Sequence, residues 1–231
     1  MNSALRATAS RYRAWPNLYY YAQGKLALDP AYPAVARELA ASPRPLLDIG
    51  CGMGLLATWL RAHGHRAPIS GMDVDGRKIR IAQDLLGSEN ASFHTGDALD
   101  FAPHTGDVVM LDVLHYFDDG QQQRLLEKIA ASLAPGGTAL IRVTLNDRSW
   151  RFRATKLEEW FVHASGWIPT SGWNFPTRDE LGRAFSSAGF TGEARPMWGI
   201  TPFNSYLFVF RRPAEAVKKE GNSSSSFSLL S

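Results

Sequence analysis

Pro45-Leu46-Leu47-Asp48-Ile49-Gly50-Cys51-Gly52-Met53-Gly54-Leu55-Leu56-Ala57 is the stretch that decides the fold. Leu46–Ile49 reads as a short apolar strand, the three glycines at alternate positions as a turn, and Leu55 onward as the start of a helix. Gly50 and Gly52 let the backbone turn sharply and approach a ligand with no β-carbon in the way. The N–H groups that open the helix point at that ligand. Asp48 places a carboxylate just ahead of the turn, where it would repel a phosphate and suits a cationic ligand. Gly52-Met53-Gly54-Leu55-Leu56-Ala57 also matches the dinucleotide pattern G-x-G-x-x-[GA], so the glycines alone leave a pyrophosphate ligand open.

Outward from that turn, strands and helices alternate. Strands are predicted over 46–49, 69–72, 91–94, 108–111 and 138–143. Helices are predicted over 55–63, 76–86 and 121–133, each with apolar residues three or four apart. Pro135-Gly136-Gly137 stops the third helix. Such alternation yields a parallel sheet covered by helices on both faces. Thr177-Arg178-Asp179-Glu180 matches a capping box ahead of a further helix, and Gly189 is placed to close it. Two late strands, 191–195 and 205–210, have too short a connection for a parallel crossover and should form an antiparallel hairpin. The fold expected is α/β: a doubly wound, seven-stranded, mostly parallel sheet with a C-terminal antiparallel hairpin.

Three segments flank or interrupt this pattern. Residues 1–44 read as an N-terminal helical cap, and 45–213 as the ligand-binding domain. Residues 144–176, with Trp150, Trp160, Trp167 and Trp173, read as an aromatic-rich insertion. The segment 214–231, with its serine run, reads as a disordered tail.

The bulk numbers exclude several classes. A net charge of +3 over 231 residues is too small to argue for nucleic acid. The single cysteine, Cys51, excludes an internal disulfide and agrees with a reducing compartment. Between two glycines it reads as a small turn residue and not a nucleophile. No apolar run approaches the ~20 residues of a membrane span, and the N-terminus has no apolar secretory core. A cytoplasmic protein is the expectation.

Ligands of open α/β sheets bind at the carboxyl ends of the strands, so the residues that end each strand are the candidates. Strand two ends at Asp73-Val74-Asp75. An acid about 20 residues past the glycine turn can accept both hydroxyls of a ribose; Asp73 fits that role, and Asp75 fits a cap of the next helix. Strand three leads into Gly96-Asp97-Ala98, where a carboxylate can accept from an adenine amino group. Strand four ends in Asp112-Val113-Leu114-His115-Tyr116.

The hydrophobic-x-Asp-x-Gly-x-Gly-x-Gly run resembles motif I of the class I S-adenosylmethionine methyltransferases, whose cofactor carries an ammonium and a sulfonium. The resemblance covers roughly residues 45–143. It implies cofactor binding by Asp48, Gly50, Cys51, Gly52 and Gly54 at the turn. By the same resemblance Asp73 and Val74 meet the ribose, Gly96, Asp97 and Ala98 the adenine, and Asp112 and Val113 the methionine part. An NAD(P)-dependent oxidoreductase and a non-catalytic S-adenosylmethionine-binding protein are the alternatives.

Methyl transfer needs chiefly alignment of acceptor and donor, with a base only for a hydroxyl, phenol or activated carbon. His115 is the candidate base and Tyr116 the candidate positioning group. Tyr20, Tyr21 and Lys25 of the N-terminal segment, with Trp160 and His163 of the insertion, are candidate substrate contacts in an aromatic pocket. Strand four ends without an Asn/Asp-Pro-Pro-aromatic run, which disfavours amino-nitrogen acceptors. No metal is expected, because Asp112, Asp118 and Asp119 lack a completing acid or amide. Arg142, Arg148, Arg151, Arg153 and Lys156, followed by Glu158 and Glu159, read as a solvated face, with a docking patch for an acidic partner such as an acyl carrier protein, or a clamp for a substrate carboxylate, as the alternative. YYYAQGKLALDPAY, LLDIGCGMGLLATWL, DVVMLDVLHYF and MWGITPFNSYLFVFRRP further resemble methyltransferases of bacterial aryl-polyene pigment clusters. That resemblance implies a small aromatic or acyl-type acceptor, presented on an acyl carrier protein.

Overall fold

The computed structural model describes residues 3–147, 149–153, 174–198 and 204–214. Its elements are, in chain order, α1 (Ser3–Ser10), α2 (Pro16–Leu28), α3 (Ala31–Leu39), β1 (Leu46–Ile49), α4 (Leu55–Ala62), β2 (Ile69–Asp73), α5 (Gly76–Leu86), β3 (Ala91–Thr95), β4 (Asp107–Leu111), α6 (Asp119–Ser132), β5 (Thr138–Thr144), α7 (Arg178–Ser186), β6 (Thr191–Pro196) and β7 (Ser205–Arg211).

One seven-stranded sheet runs in the order β3-β2-β1-β4-β5-β7-β6. The first five strands pair in parallel, and β7 pairs antiparallel with both β5 and β6. The expected hairpin is present, with its second strand placed inside the sheet and its first at the edge. That edge strand carries Glu193, Arg195 and Pro196, residues that discourage further pairing.

Because successive side chains of a strand face opposite ways, the unbroken apolar run of β4 feeds two cores. Val109 joins Leu46, Leu140, Leu207 and Val209 beneath α1–α5. Val108 and Met110 join Leu47, Ile49, Ile141 and Phe208 against α6 and α7. Each such side chain contributes about 1.5–3 kcal/mol on burial. The N-terminal helices pack into the first of these cores through Leu5, Ala9, Leu26, Tyr32, Val35 and Leu39, joined by Tyr12 of the turn between α1 and α2.

Caps set the helix starts. Asp75 accepts from the Arg77 N–H and begins α5. Asp118 and Gln121 form a reciprocal capping box, which starts α6 at Asp119, two residues before the predicted Gln121. Thr177 and Glu180 form the predicted box at α7, and Gly189 follows that helix at φ +78°.

The reading of Arg142 as part of a solvated basic face is wrong. It lies within β5, only 5% exposed. Arg151 stacks on the Trp150 and Trp198 rings. Arg148, Lys156, Glu158 and Glu159 lie outside the described residues, as do most of the tryptophan-rich insertion and the tail beyond Ala214.

Candidate functional site

The glycine turn closes the gap between β1 and α4. Gly50, Gly52 and Gly54 all have positive φ, at +77°, +54° and +76°. Gly50 and Cys51 both donate to the Met72 carbonyl, at 2.8 and 2.9 Å, which fastens the turn to the end of β2. A β-carbon on Gly50 would stand 2.2 Å from Val113 Cγ2, so only glycine fits there. Cys51 is buried, and burial pushes its thiol well above the ordinary range, so it packs and does not react.

Asp48 lies under this turn, 3% exposed. Its Oδ2 has no hydrogen-bond partner among the described residues. Burial, reinforced by the nearby charge of Asp73, raises its carboxyl to about 7. A buried carboxyl oxygen with nothing to bond is costly, and a cation supplied from outside removes the cost.

Asp73 ends β2. Its Oδ2 accepts from the Gly52 N–H at 3.0 Å and its Oδ1 from the Asp75 N–H at 2.9 Å. Each carboxylate oxygen has two acceptor sites, so both keep capacity for a ligand hydroxyl. The Gly96 N–H donates to the Asp73 carbonyl at 3.1 Å, which brings the end of β3 alongside. Asp97 caps the short helical turn Ala98–Asp100 by accepting from Leu99 N–H. Val74 stands open, 73% exposed.

Beyond β4 the chain turns sharply. Asp112 has φ +58°, uncommon for a residue with a side chain. The single helical turn Leu114–Tyr116 follows. Gln122 of α6 is buried and donates to the carbonyls of Leu114, Phe117 and Asn174 at 3.1, 3.1 and 2.8 Å. The Asn174 N–H donates to the His115 carbonyl at 2.9 Å. The turn that carries His115 is therefore anchored from α6 and from the chain leading into α7. The His115 ring is buried between Tyr116 at 4.3 Å and Phe175 at 5.9 Å between centroids. Burial lowers its pKa, so the imidazole is neutral at pH 7.

Asp112 is not a lone acid. It forms a two-pronged pair with Arg142, whose Nε donates to Oδ1 at 2.8 Å and whose Nη2 bonds Oδ2. On its other side Arg142 Nη1 bonds both oxygens of Asp29, at 2.6 and 2.5 Å. Lys25 Nζ pairs with Asp29 at 2.9 Å. Asp29 and Arg142 were invisible as site residues in the sequence, since their partners lie far along the chain. Asp118 caps α6, and Asp119 accepts from Asn174 Nδ2 at 2.6 Å. Among the described residues no group of three or more His, Cys, Asp or Glu side chains is placed to hold a metal ion.

The structure thus brings Asp48, the three glycines, Asp73, Gly96, Val113 and the Asp112 backbone to adjacent strand ends. Tyr20 and Tyr21 lie on α2, largely exposed at 69% and 53%. Trp160 and His163 fall outside the described residues. Sequence reading missed Tyr12, whose buried hydroxyl meets the Met53 carbonyl at 3.2 Å and Thr58 Oγ1 at 3.1 Å, pinning the N-terminal helices to the glycine turn. Among the described residues no helix is long and apolar enough to cross a membrane.

A family model described as "Methyltransferase domain" matches residues 21–194. The 8-hydroxyquercetin 8-O-methyltransferase of Mentha piperita is 27% identical over 161 residues, 67% of this chain and 42% of that protein. Methyltransferase gedG of Aspergillus terreus is 38% identical over 95 residues, 39% of this chain and 28% of that one. The chain thus spans less than half the length of these two relatives. Among solved structures, the Synechocystis magnesium protoporphyrin IX methyltransferase with bound S-adenosylhomocysteine superposes with a TM-score of 0.62 at 19% identity, covering 79% of this chain and 82% of that one. Mitomycin 7-O-methyltransferase superposes at 0.64 and 18% identity, covering 91% and 61%. These likenesses show the fold, and the family match excludes the dinucleotide reading of the glycine turn. With its motif at β1, its strand order and its antiparallel β7, the chain belongs to the class I S-adenosylmethionine-dependent methyltransferase family.

Proposed function

We propose that this protein methylates an acidic hydroxyl, phenolic in type, on a small aromatic or acyl-type molecule. The observation that carries this reading is the buried imidazole of His115 on the turn after β4, beside the strand ends, where burial holds its pKa below the ordinary value. A hydroxyl acceptor needs a base within reach, and a neutral histidine supplies one at physiological pH. The O-methyltransferase names among the relatives support the same acceptor class.

S-adenosylmethionine supplies a methyl group on a positively charged sulfur, which leaves as a neutral thioether. Asp48 would face the cofactor's ammonium, since its buried oxygen is satisfied by a cation. The Asp73 carboxylate, fixed by two backbone N–H groups, would accept from the ribose hydroxyls. Gly96, Asp97 and Ala98 would line the adenine, with Val74 and Cys51 packing nearby, and Val113 would border the methionine part. His115 would take the acceptor's proton as its oxygen bonds the methyl carbon, with Tyr116 orienting the acceptor. Tyr20, Tyr21 and Lys25 of α2 would wall the acceptor site.

Calorimetric titration with S-adenosylhomocysteine, followed by transfer of labelled methyl from S-adenosylmethionine to a panel, tests this. The panel holds hydroxylated flavonols, simple phenols and the same aromatic acyl groups on an acyl carrier protein. Micromolar binding with transfer to a free phenol supports the reading, and transfer only to the carrier-bound form adds the carrier as partner. Binding with no transfer to any hydroxyl would favour a non-catalytic role. The Asp73→Ala variant should bind S-adenosylhomocysteine about a hundredfold more weakly, from two lost charge-assisted hydrogen bonds.

A further inference from the structure

Arg142 is a guanidinium set among the fully buried Ile141 and Val143 of β5. Such a group persists in an interior only when its charge and its N–H donors are met on every side. Here two carboxylates far apart in the sequence meet it. Asp112 accepts through parallel bonds from Nε and Nη2, and Asp29 accepts with both oxygens from Nη1. The Arg142 carbonyl also accepts from the Asp112 N–H at 3.1 Å, so backbone and side chain of Arg142 hold Asp112 together.

Each carboxylate sits at a corner. Asp29 closes α2, its N–H bonded to the Lys25 carbonyl and its Oδ1 to the Ala31 N–H, so it fixes the angle between α2 and α3. Asp112 is the residue of positive φ from which the chain turns to place Val113 against Gly50 and then His115. A left-handed conformation at a residue with a side chain is strained and persists where surrounding contacts over-determine it. Arg142 supplies those contacts, and it supplies them to the α2 corner at the same time.

We infer that Arg142 is a positioning residue that couples the N-terminal cap to the 112–116 turn, so that docking of α2 and placement of Val113 and His115 occur as one event. The value of this placement for methyl transfer rests on the function proposed above, whereas the coupling itself does not.

Amide hydrogen exchange on the full chain, with and without S-adenosylhomocysteine, tests it. Asp29→Asn changes a residue far in sequence from the turn. It should speed exchange of residues 113–117 about tenfold or more, as for coupled sites in one ion-pair network, while β1–β3 stay within about twofold of wild type. Arg142→Lys keeps the charge and loses the fork, and should release both α2 and the 113–117 turn to a similar degree. In the Arg142→Lys background, Asp29→Asn should then add little at 113–117. The Kd for S-adenosylhomocysteine should rise several-fold in each single variant. A merely structural ion cluster would raise exchange evenly across the sheet. That result, or unchanged exchange at 113–117 in a folded Asp29→Asn protein, would overturn the inference. Failure of the wild-type protein to bind S-adenosylhomocysteine would instead count against the proposed function, with the exchange data still deciding the coupling.

Discussion

Val113 Cγ2 occupies the space that a side chain on Gly50 would need, 2.2 Å from where its β-carbon would lie. The glycine turn and the end of β4 are thereby locked in mutual register, and the lock joins the two halves of the sheet across the β1–β4 pair. Gly50→Ala should meet two penalties: the φ of +77°, worth about 1–2 kcal/mol, and the clash, worth a further ~1–3 kcal/mol. Thermal denaturation should show a clear loss of stability, and S-adenosylhomocysteine binding should fall beyond detection. Adding Val113→Ala should recover the steric part only. Full recovery would mean that the backbone conformation costs nothing here.

Asp48 predicts a pH dependence of the cofactor-free protein. Its folded-state carboxyl titrates near 7, above its ordinary 3.8. Between those two values the native state binds more protons than the unfolded chain, so stability falls as pH rises through that window and levels off above it. Denaturant titrations from pH 4 to 8 should show that slope, and Asp48→Asn should flatten it.

The same group makes cofactor affinity rise with pH, because a ligand ammonium favours the ionised carboxylate. Between pH 8 and pH 6 the Kd for S-adenosylhomocysteine should weaken about tenfold, the expectation for one coupled group titrating near 7. Binding near pH 7 should also release a proton, visible as a buffer-dependent binding enthalpy. Asp48→Asn should bind more weakly at pH 8 and show no slope.

His115→Gln should reduce methyl transfer to a phenol by about a hundredfold or more, within the range of a lost general base, with S-adenosylhomocysteine affinity within a few-fold of wild type. Since burial lowers the imidazole pKa, the acid limb of the wild-type rate profile should lie below pH 6.5. Wild-type turnover in the variant would remove His115 from the chemistry.

Tyr12→Phe removes one hydroxyl whose neighbours, the Met53 carbonyl and Thr58, lie at the back of the glycine turn. Stability should drop by about 1 kcal/mol, with a few-fold loss of S-adenosylhomocysteine affinity although Tyr12 belongs to the turn between α1 and α2. An affinity identical to wild type would show that the turn holds its shape without that contact.

Most of the sheet was legible because each element signals itself locally: glycines at alternate positions, apolar runs that stop at acids, a capping box at Thr177. Residues whose meaning lies across the chain were not legible. Arg142 sits in Ile-Arg-Val-Thr, and a lone cation there reads as surface until Asp29 and Asp112 are seen on either side of it. The pairing of Asp112 with Arg142, thirty residues further on, was likewise not legible. Gln122 looked like any polar residue of α6, yet its amide holds three carbonyls around the His115 turn. The start of α6 was misplaced by two residues because Asp118 and Gln121 cap it without an apolar residue to mark the boundary.

The position of β7 bears on how the chain is made. The strand that completes the interior of the sheet follows the other six in the chain, and until residues 205–211 leave the ribosome β5 has no neighbour on one side. A nascent chain stalled before Ser205 would show a bare row of backbone donors and acceptors flanked by Leu140 and Ile141, the kind of surface that chaperones shield and that aggregation seeds on. Synthesis of this protein therefore has a vulnerable interval between the emergence of β5 and that of β7, and it ends only when β7 slots between β5 and β6.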